Sequence, residues 1–89
     1  MWIDVENARV FAQTGGQPFD TGKQSVFLIH GAGMDQTVWQ QQSRYLAHHG
    51  WNVFAIDMPG HGASEGSASD SVRAGAEWVV SLLDALDLP

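Results

Sequence analysis

The sequence predicts an α/β fold in which an antiparallel β-hairpin is followed by a β-α-β-α segment with a parallel pair of strands. Two short runs, Ser25–His30 and Trp51–Ile56, are almost wholly apolar, which is typical of parallel strands buried on both faces. Apolar residues recur at helical spacing between these runs and again in Ser71–Leu86. Strand and helix therefore alternate along most of the chain, as the connections of a parallel sheet require.

The first element is the hairpin. Trp2–Glu6 alternates apolar and polar residues, and Arg9–Thr14 is a second run of β-prone residues. Asn7 and Ala8 lie between the two runs and are predicted to form the turn, although they lack the strong Asn-Gly signal. Residues 15–23 contain Gly, Pro, Asp and Thr, a composition that is typical of a connecting loop.

The first strand of the parallel pair ends at a tight, Gly-rich turn. Ser25–His30 is followed by Gly31–Gly33, and either Asp35 or Thr37 is predicted to cap the next helix. We expect that helix to run to about His48.

The predicted apolar stripe of this helix is narrow. Val38 with Tyr45, and Trp39 with Leu46, repeat with a spacing of seven residues. Gly50 supplies the left-handed residue that commonly ends a helix.

The second strand of the parallel pair, Trp51–Ile56, leads into the Gly-rich loop Asp57–Gly66. The final helix, Ser71–Leu86, has Asp70 or Ser71 available as its cap. Its apolar residues at helical spacing are Val72, Ala76, Val79, Val80, Leu83 and Leu86.

A strand, a helix and a strand in this order form a right-handed βαβ unit, whose next helix should lead to another parallel strand. The sequence instead ends at Leu88 and Pro89, just past that helix. We therefore expect residues 1–89 to be the N-terminal portion of a single domain, with an incomplete architecture.

Composition excludes several classes of function. Four Lys and Arg against ten Asp and Glu give a net charge of −6, which disfavours nucleic-acid binding. The absence of Cys excludes disulfides and thiolate chemistry. No apolar run approaches the roughly 20 residues of a membrane span, and Met1–Asp4 lacks a basic signal-peptide start. We expect a cytoplasmic protein without a membrane partner, and no His, Asp or Glu spacing indicates a metal site.

Two segments together resemble a known family. VFLIHGAGMDQTVW (Val26–Trp39) and WNVFAIDMPGHGASEG (Trp51–Gly66) are similar to the N-terminal part of the α/β-hydrolases, which include esterases, enol-lactone hydrolases, epoxide hydrolases and carbon–carbon bond hydrolases. The resemblance extends over nearly the whole chain but only about the first third of a family domain. It implies an α/β-hydrolase fold that stops before the nucleophile.

The resemblance also implies roles for the turn after the first parallel strand. The backbone N–H of Ala32 would be one of the two donors of an oxyanion hole, and Gly31 and Gly33 would let the backbone approach the substrate closely. Met34 and Trp39 are candidates for lining the substrate entrance, with core packing as the alternative for Trp39. No cofactor is implied.

Gly62–Gly66 reads G-x-S-x-G, the pattern of a nucleophile elbow, but its position argues against that role. An elbow places its Ser between the end of a strand and the start of a helix. Here Asp57–His61 separate the pattern from the preceding strand, so Ser64 is expected to be structural. Asp57 is expected to hydrogen-bond backbone N–H groups of its turn, and His30 to make a structural hydrogen bond.

The family order of nucleophile, acid and base places the catalytic triad after Pro89. We therefore expect the 89-residue chain to be inactive by itself and to contribute half of an oxyanion hole. The expected enzyme hydrolyses an ester, lactone or similar small acyl substrate by nucleophilic catalysis. Without a following strand, Ser25–His30 would form an apolar sheet edge through which the fragment could self-associate.

Three alternatives stay open. The first is an α/β-hydrolase with an Asp nucleophile, as in epoxide hydrolases or dehalogenases, although dehalogenases often carry Asn where this chain has Ala32. The second is a non-catalytic module that binds a partner along the edge strand. The third is a doubly wound nucleotide-binding domain, of whose G-x-G-x-x-G pattern the HGAGMD segment has only two glycines.

Overall fold

The computed structural model describes residues 1–31 and 33–87. The elements are β1 (Trp2–Val5), β2 (Ala8–Gln13), β3 (Gln24–Ile29), a 3₁₀ helix (Gln36–Trp39), α1 (Gln40–His48), β4 (Trp51–Ile56) and α2 (Val72–Leu86). This order confirms the predicted α/β class, the N-terminal hairpin and the β-α-β-α segment.

The four strands form one sheet in the order β1-β2-β4-β3. β2 is antiparallel to both β1 and β4, whereas β3 and β4 form the predicted parallel pair. The parallel ladder runs from Gln24 opposite Trp51 to Ile29 opposite Ile56. The carboxyl ends of β3 and β4 therefore lie side by side, and the loops that follow them meet at one end of the sheet. Within the described part of the chain, β3 has a neighbour on one side only.

The hairpin turn lies one residue earlier than predicted. Ala8 pairs with Val5 as part of β2, so the turn consists of Glu6 and Asn7. Both have positive φ angles, 50° and 65°, as a two-residue type I′ turn requires. Glu rarely adopts this conformation, which is why the sequence signal was weak.

The main hydrophobic core lies between the sheet and α2. β4 contributes Phe54 and Ile56, and α2 contributes Trp78 and Leu82. The hairpin completes this core with Ile3, Val5, Val10 and Ala12. Because side chains alternate along a strand, Val53 and Ala55 of β4 point to the opposite face, where α1 packs.

The face that α1 turns toward β4 differs from the predicted stripe. Its buried residues are Ser43 and Ala47. Of the predicted pairs, Trp39 and Leu46 are half-buried, whereas Val38 and Tyr45 are 46% and 62% exposed. The reason is close packing: a Cβ on Gly15, whose φ is +73°, would lie 2.4 Å from the Ser43 carbonyl oxygen and 2.7 Å from the Ala47 Cβ. Small residues are needed at such a contact, and a search for large apolar residues cannot find them.

The helix boundaries follow the predicted caps with two refinements. Asp35 rather than Thr37 is the cap, and the first turn is a 3₁₀ helix that continues into α1. At α2, Ser71 rather than Asp70 accepts the Ala74 N–H. The buried residues of α2 are Trp78 and Leu82, which are not in the predicted apolar set. Three members of that set are exposed: Val72 (91%), Val80 (58%) and Leu83 (42%). None of the described helices is long and apolar enough to cross a membrane.

Candidate functional site

The candidate site is the meeting point of two loops at the carboxyl end of the parallel strands. The first loop, residues 30–36, follows β3 and contains the predicted oxyanion tripeptide. The second loop, residues 57–66, follows β4 and contains the G-x-S-x-G pattern. In sheets with parallel strands, ligands bind outside these carboxyl ends.

Asp57 joins the two loops through a buried carboxylate. One carboxylate oxygen accepts the Ala63 N–H at 2.9 Å, which confirms the predicted bond to its own turn. The other oxygen accepts the Gln36 N–H at 2.7 Å, a contact across to the first loop that was not predicted. A Cβ on Gly62 would lie 2.4 Å from this carboxylate, so only Gly fits there. Hydrogen bonds to an ionised acceptor are stronger than neutral ones, and Asp57 therefore fixes the spacing of the loops.

His30 is buried at the end of β3 and makes the expected structural hydrogen bonds. Its Nε2 accepts the Met58 N–H at 3.0 Å, and its Nδ1 lies 2.7 Å from the Gly31 carbonyl oxygen. An amide can only donate, so Nε2 must carry the lone pair and Nδ1 the proton. Both ring nitrogens of His30 are thus engaged with backbone groups.

His61 repeats this arrangement from the second loop, and the sequence had assigned it no role. Its Nε2 accepts the Gly33 N–H at 3.1 Å, and its Nδ1 lies 3.0 Å from the Pro59 carbonyl oxygen. The centroids of the His30 and His61 rings are 5.0 Å apart. We call these two side chains the imidazole pair. They form hydrogen bonds with the first loop at Gly31 and at Gly33.

Ser64 is structural, as expected. Its hydroxyl donates to the Asp57 carbonyl oxygen at 2.6 Å and accepts the Phe11 N–H at 2.9 Å. Next to it, Glu65 pairs with Arg9 through its backbone N–H and through its side chain. The second loop therefore continues the sheet along β2, and Ser64 does not lie between a strand and a helix.

Comparison with known proteins identifies the family of this chain. Residues 20–86 match the family described as serine aminopeptidase, S33. The chain belongs to this family of α/β-hydrolases. The recognition of the α/β-hydrolase fold from the sequence is thereby confirmed.

Relatives of this α/β-hydrolase chain carry several hydrolase names. It is 34% identical over 82 residues to an (E)-2-((N-methylformamido)methylene)succinate hydrolase of Acinetobacter baylyi, covering 91% of this chain and 28% of that protein. It is 40% identical over 68 residues to a pimeloyl-(acyl-carrier protein) methyl ester esterase of Photobacterium profundum, covering 76% and 24%. The structure of a CIB-like hydrolase from Thermoplasma acidophilum matches with a TM-score of 0.79 and 28% identity, over 98% of this chain and 44% of that one.

The α/β-hydrolase chain spans about a quarter of the length of these two curated relatives. Their printed names and the family match show that the chain is similar to hydrolases over this N-terminal part. No Ser in residues 1–31 and 33–87 lies directly between the end of a strand and the start of a helix.

The predicted site residues surround two depressions of the α/β-hydrolase surface. Gly31 lines a cavity of about 330 Å³ together with His30, Met58 and the first turn of α2. Gly33 and Met34 line a more open depression beside His61, and Met34 is 55% exposed.

The two other predicted site residues are Trp39 and Ala32. Trp39 is half-buried and lines neither depression. Ala32, predicted to supply the oxyanion N–H, lies outside the described residues.

One titratable group beside the site is perturbed. The Thr37 hydroxyl and the Thr37 backbone N–H both donate to the Asp35 carboxylate and lower the pKa of Asp35 below its ordinary value of 3.8. Asp35 therefore stays ionised at neutral pH as the cap of the 3₁₀ helix. Among the described side chains, no three His, Asp or Glu residues converge on a point that could hold a metal ion.

Proposed function

We propose that this chain is the N-terminal portion of a hydrolase that cleaves an ester, lactone or similar small acyl substrate by nucleophilic catalysis. In this proposal the loop after β3 contributes one backbone N–H to the oxyanion hole. The observation that carries it is the double anchoring of this loop, through Asp57 on one side and the imidazole pair on the other.

The physical argument concerns the charge that develops during acyl transfer. Attack on a carbonyl carbon places negative charge on the carbonyl oxygen, and N–H groups that are already oriented stabilise that charge without reorganisation. The bonds from Asp57 and the imidazole pair hold the loop at Gly31, Gly33 and Gln36 before the substrate arrives. The ester hydrolase among the relatives supports the same class of substrate.

The hydrogen bonds of the loop after β3 favour one backbone amide as the donor to the oxyanion. The Gly33 N–H is bonded to His61, and the Met34 N–H donates to the Gly31 carbonyl oxygen at 3.2 Å. Both of these amides already have a hydrogen-bond acceptor in the protein. The proposal therefore assigns the oxyanion contact to the N–H of Ala32, the position that the resemblance indicates.

The nucleophile, the acid and the base of this proposal belong to other parts of the polypeptide. Ser64, which matches the elbow pattern, uses its hydroxyl to join the second loop to β2. We accordingly propose that the 89-residue chain alone is inactive. A cytoplasmic location also stays a proposal, and fractionation of cells that express a tagged protein would test it.

The test uses the protein expressed from its complete reading frame and a short-chain p-nitrophenyl ester. Ala32→Pro removes the proposed N–H donor, and Ala32→Ser keeps it with a similar side-chain size. We expect Ala32→Pro to lower kcat by about 10²–10³-fold, as the loss of one oxyanion donor does. Ala32→Ser should stay within about threefold of wild type, because its N–H is unchanged.

Equal kcat values for the two variants would refute the assignment of Ala32. The nucleophile is identified separately, by labelling with a fluorophosphonate and locating the modified residue. A labelled Ser supports the proposal. Incorporation of ¹⁸O from labelled water into an Asp during a single turnover would instead favour the alternative with an Asp nucleophile, as in epoxide hydrolases or dehalogenases.

A further inference from the structure

We propose that His61 is a positioning residue for the oxyanion loop. Its imidazole accepts the Gly33 N–H and thereby fixes the peptide group between Ala32 and Gly33. This inference rests on the proposed function of the loop, and it assigns a task to a side chain that comes from the other loop, 28 residues further along the chain.

The His61 ring is itself held in place. Its Nδ1–H donates to the Pro59 carbonyl oxygen, two residues earlier in the same loop. Because Nε2 accepts an N–H, the ring must be the neutral tautomer with its proton on Nδ1. An acceptor that is anchored in this way loses little additional freedom when it binds the Gly33 amide.

The second member of the imidazole pair acts on the neighbouring peptide group. His30 Nδ1–H donates to the Gly31 carbonyl, which belongs to the peptide group that also contains the Ala32 N–H. The hydrogen bond from His30 restricts the rotation of the Gly31 carbonyl. A hydrogen bond to the carbonyl also polarises the amide and makes its N–H a better donor.

The imidazole pair therefore holds the Gly31 carbonyl and the Gly33 N–H, the described backbone groups on either side of position 32. His30 lies at the end of β3, directly before the loop, and is positioned by its own strand. His61 supplies the bond from across the site, and the second loop that carries it is anchored by Asp57 and Ser64. Loss of the His61 acceptor would release only the Gly33 side of the loop.

The test compares two substitutions in the protein expressed from its complete reading frame. His61→Gln replaces the acceptor nitrogen with an acceptor oxygen at about the same distance from the backbone. His61→Leu removes the acceptor and substitutes an apolar side chain of similar volume. Since misplacement of a reacting group by about 1 Å can cost about 10²-fold, we expect His61→Leu to lower kcat by about 10- to 100-fold with KM nearly unchanged. His61→Gln should recover most of the activity.

A second readout does not depend on activity. In ¹⁵N-labelled protein, the wild-type His61 should show an unprotonated Nε2, and the Gly33 amide signal should shift in His61→Leu but not in His61→Gln. An unchanged Gly33 signal in His61→Leu would overturn the inference. Equal kcat values for His61→Leu and wild type would overturn it too.

The outcomes of the inference and of the proposed function can be separated. A purely structural role of His61 predicts a lower melting temperature for both variants with no difference between Gln and Leu in kcat, and this result also overturns the inference. A wild-type protein without esterase activity would refute the proposed function. In that case the Gly33 signal alone decides whether His61 positions the loop.

Discussion

Replacement of Asp57 by Asn removes one negative charge from a buried position while leaving the shape of the side chain unchanged. The carboxylate accepts two backbone N–H groups, from Gln36 and Ala63, at 2.7 and 2.9 Å. The Asn side chain has one acceptor oxygen, so one of the two amides would face an N–H₂ group instead. The variant therefore breaks the link either within the second loop or between the two loops.

The magnitude follows from these two bonds. A hydrogen bond to a charged group contributes about 1.5–3 kcal/mol, and a buried donor left without a partner costs about 1–3 kcal/mol. We expect Asp57→Asn to lower the free energy of unfolding by about 2–4 kcal/mol. In a domain of 150–250 residues this corresponds to a melting temperature lower by roughly 4–16 °C.

The assay is thermal and urea unfolding of the protein expressed from its complete reading frame, followed by circular dichroism. Asp70→Asn is the matched control, because Asp70 is exposed and the change in charge is the same. It should shift the free energy of unfolding by less than about 0.5 kcal/mol, as surface substitutions usually do. If Asp57→Asn is as stable as this control, the carboxylate does not hold the two loops together.

Two further predictions concern the 3₁₀ helix and the sheet edge. Because the pKa of Asp35 is lowered in the folded protein, its carboxylate stabilises the fold above pH 3.8, and this contribution is lost as pH falls toward the lowered pKa. Asp35→Asn should therefore destabilise at pH 7 and have less effect near pH 2, and a pH-independent difference in urea midpoint would contradict this. We also propose that the isolated 89-residue chain self-associates through β3, which contains no charged residue. Sedimentation velocity should show concentration-dependent association that Leu28→Lys reduces, and a wild-type monomer at about 100 µM would refute it.

Much of the fold could be predicted because its signals are local. The apolar runs of β3 and β4 each extend over six residues, and their strand boundaries agree with the prediction to within one residue. The α1 face was predicted only in part, because it packs mainly through Ser43 and Ala47, whose small size matters only once β4 and Gly15 are in place. A tertiary contact of this kind leaves no periodic signal in the sequence.

In the candidate site, too, a local contact was predicted and contacts between loops were not. The bond from Asp57 to Ala63 lies within one turn and was predicted, whereas the bond from Asp57 to Gln36 joins two loops and was not. The contact of His61 with Gly33 was not predicted, because the two residues lie on different loops. The role of Ala32 stays a prediction.

The continuation of the sheet by Ser64 and Glu65 has a consequence for the order in which the protein acquires its structure. Phe11 and Ser64 are 53 residues apart in the chain, and Arg9 and Glu65 are 56 residues apart. During synthesis the hairpin leaves the ribosome well before the segment that covers its second strand. Until then the amides of Arg9 and Phe11 are open to pairing with other extended segments. The stage most exposed to misassociation is therefore the one before Ser64 and Glu65 have left the ribosome.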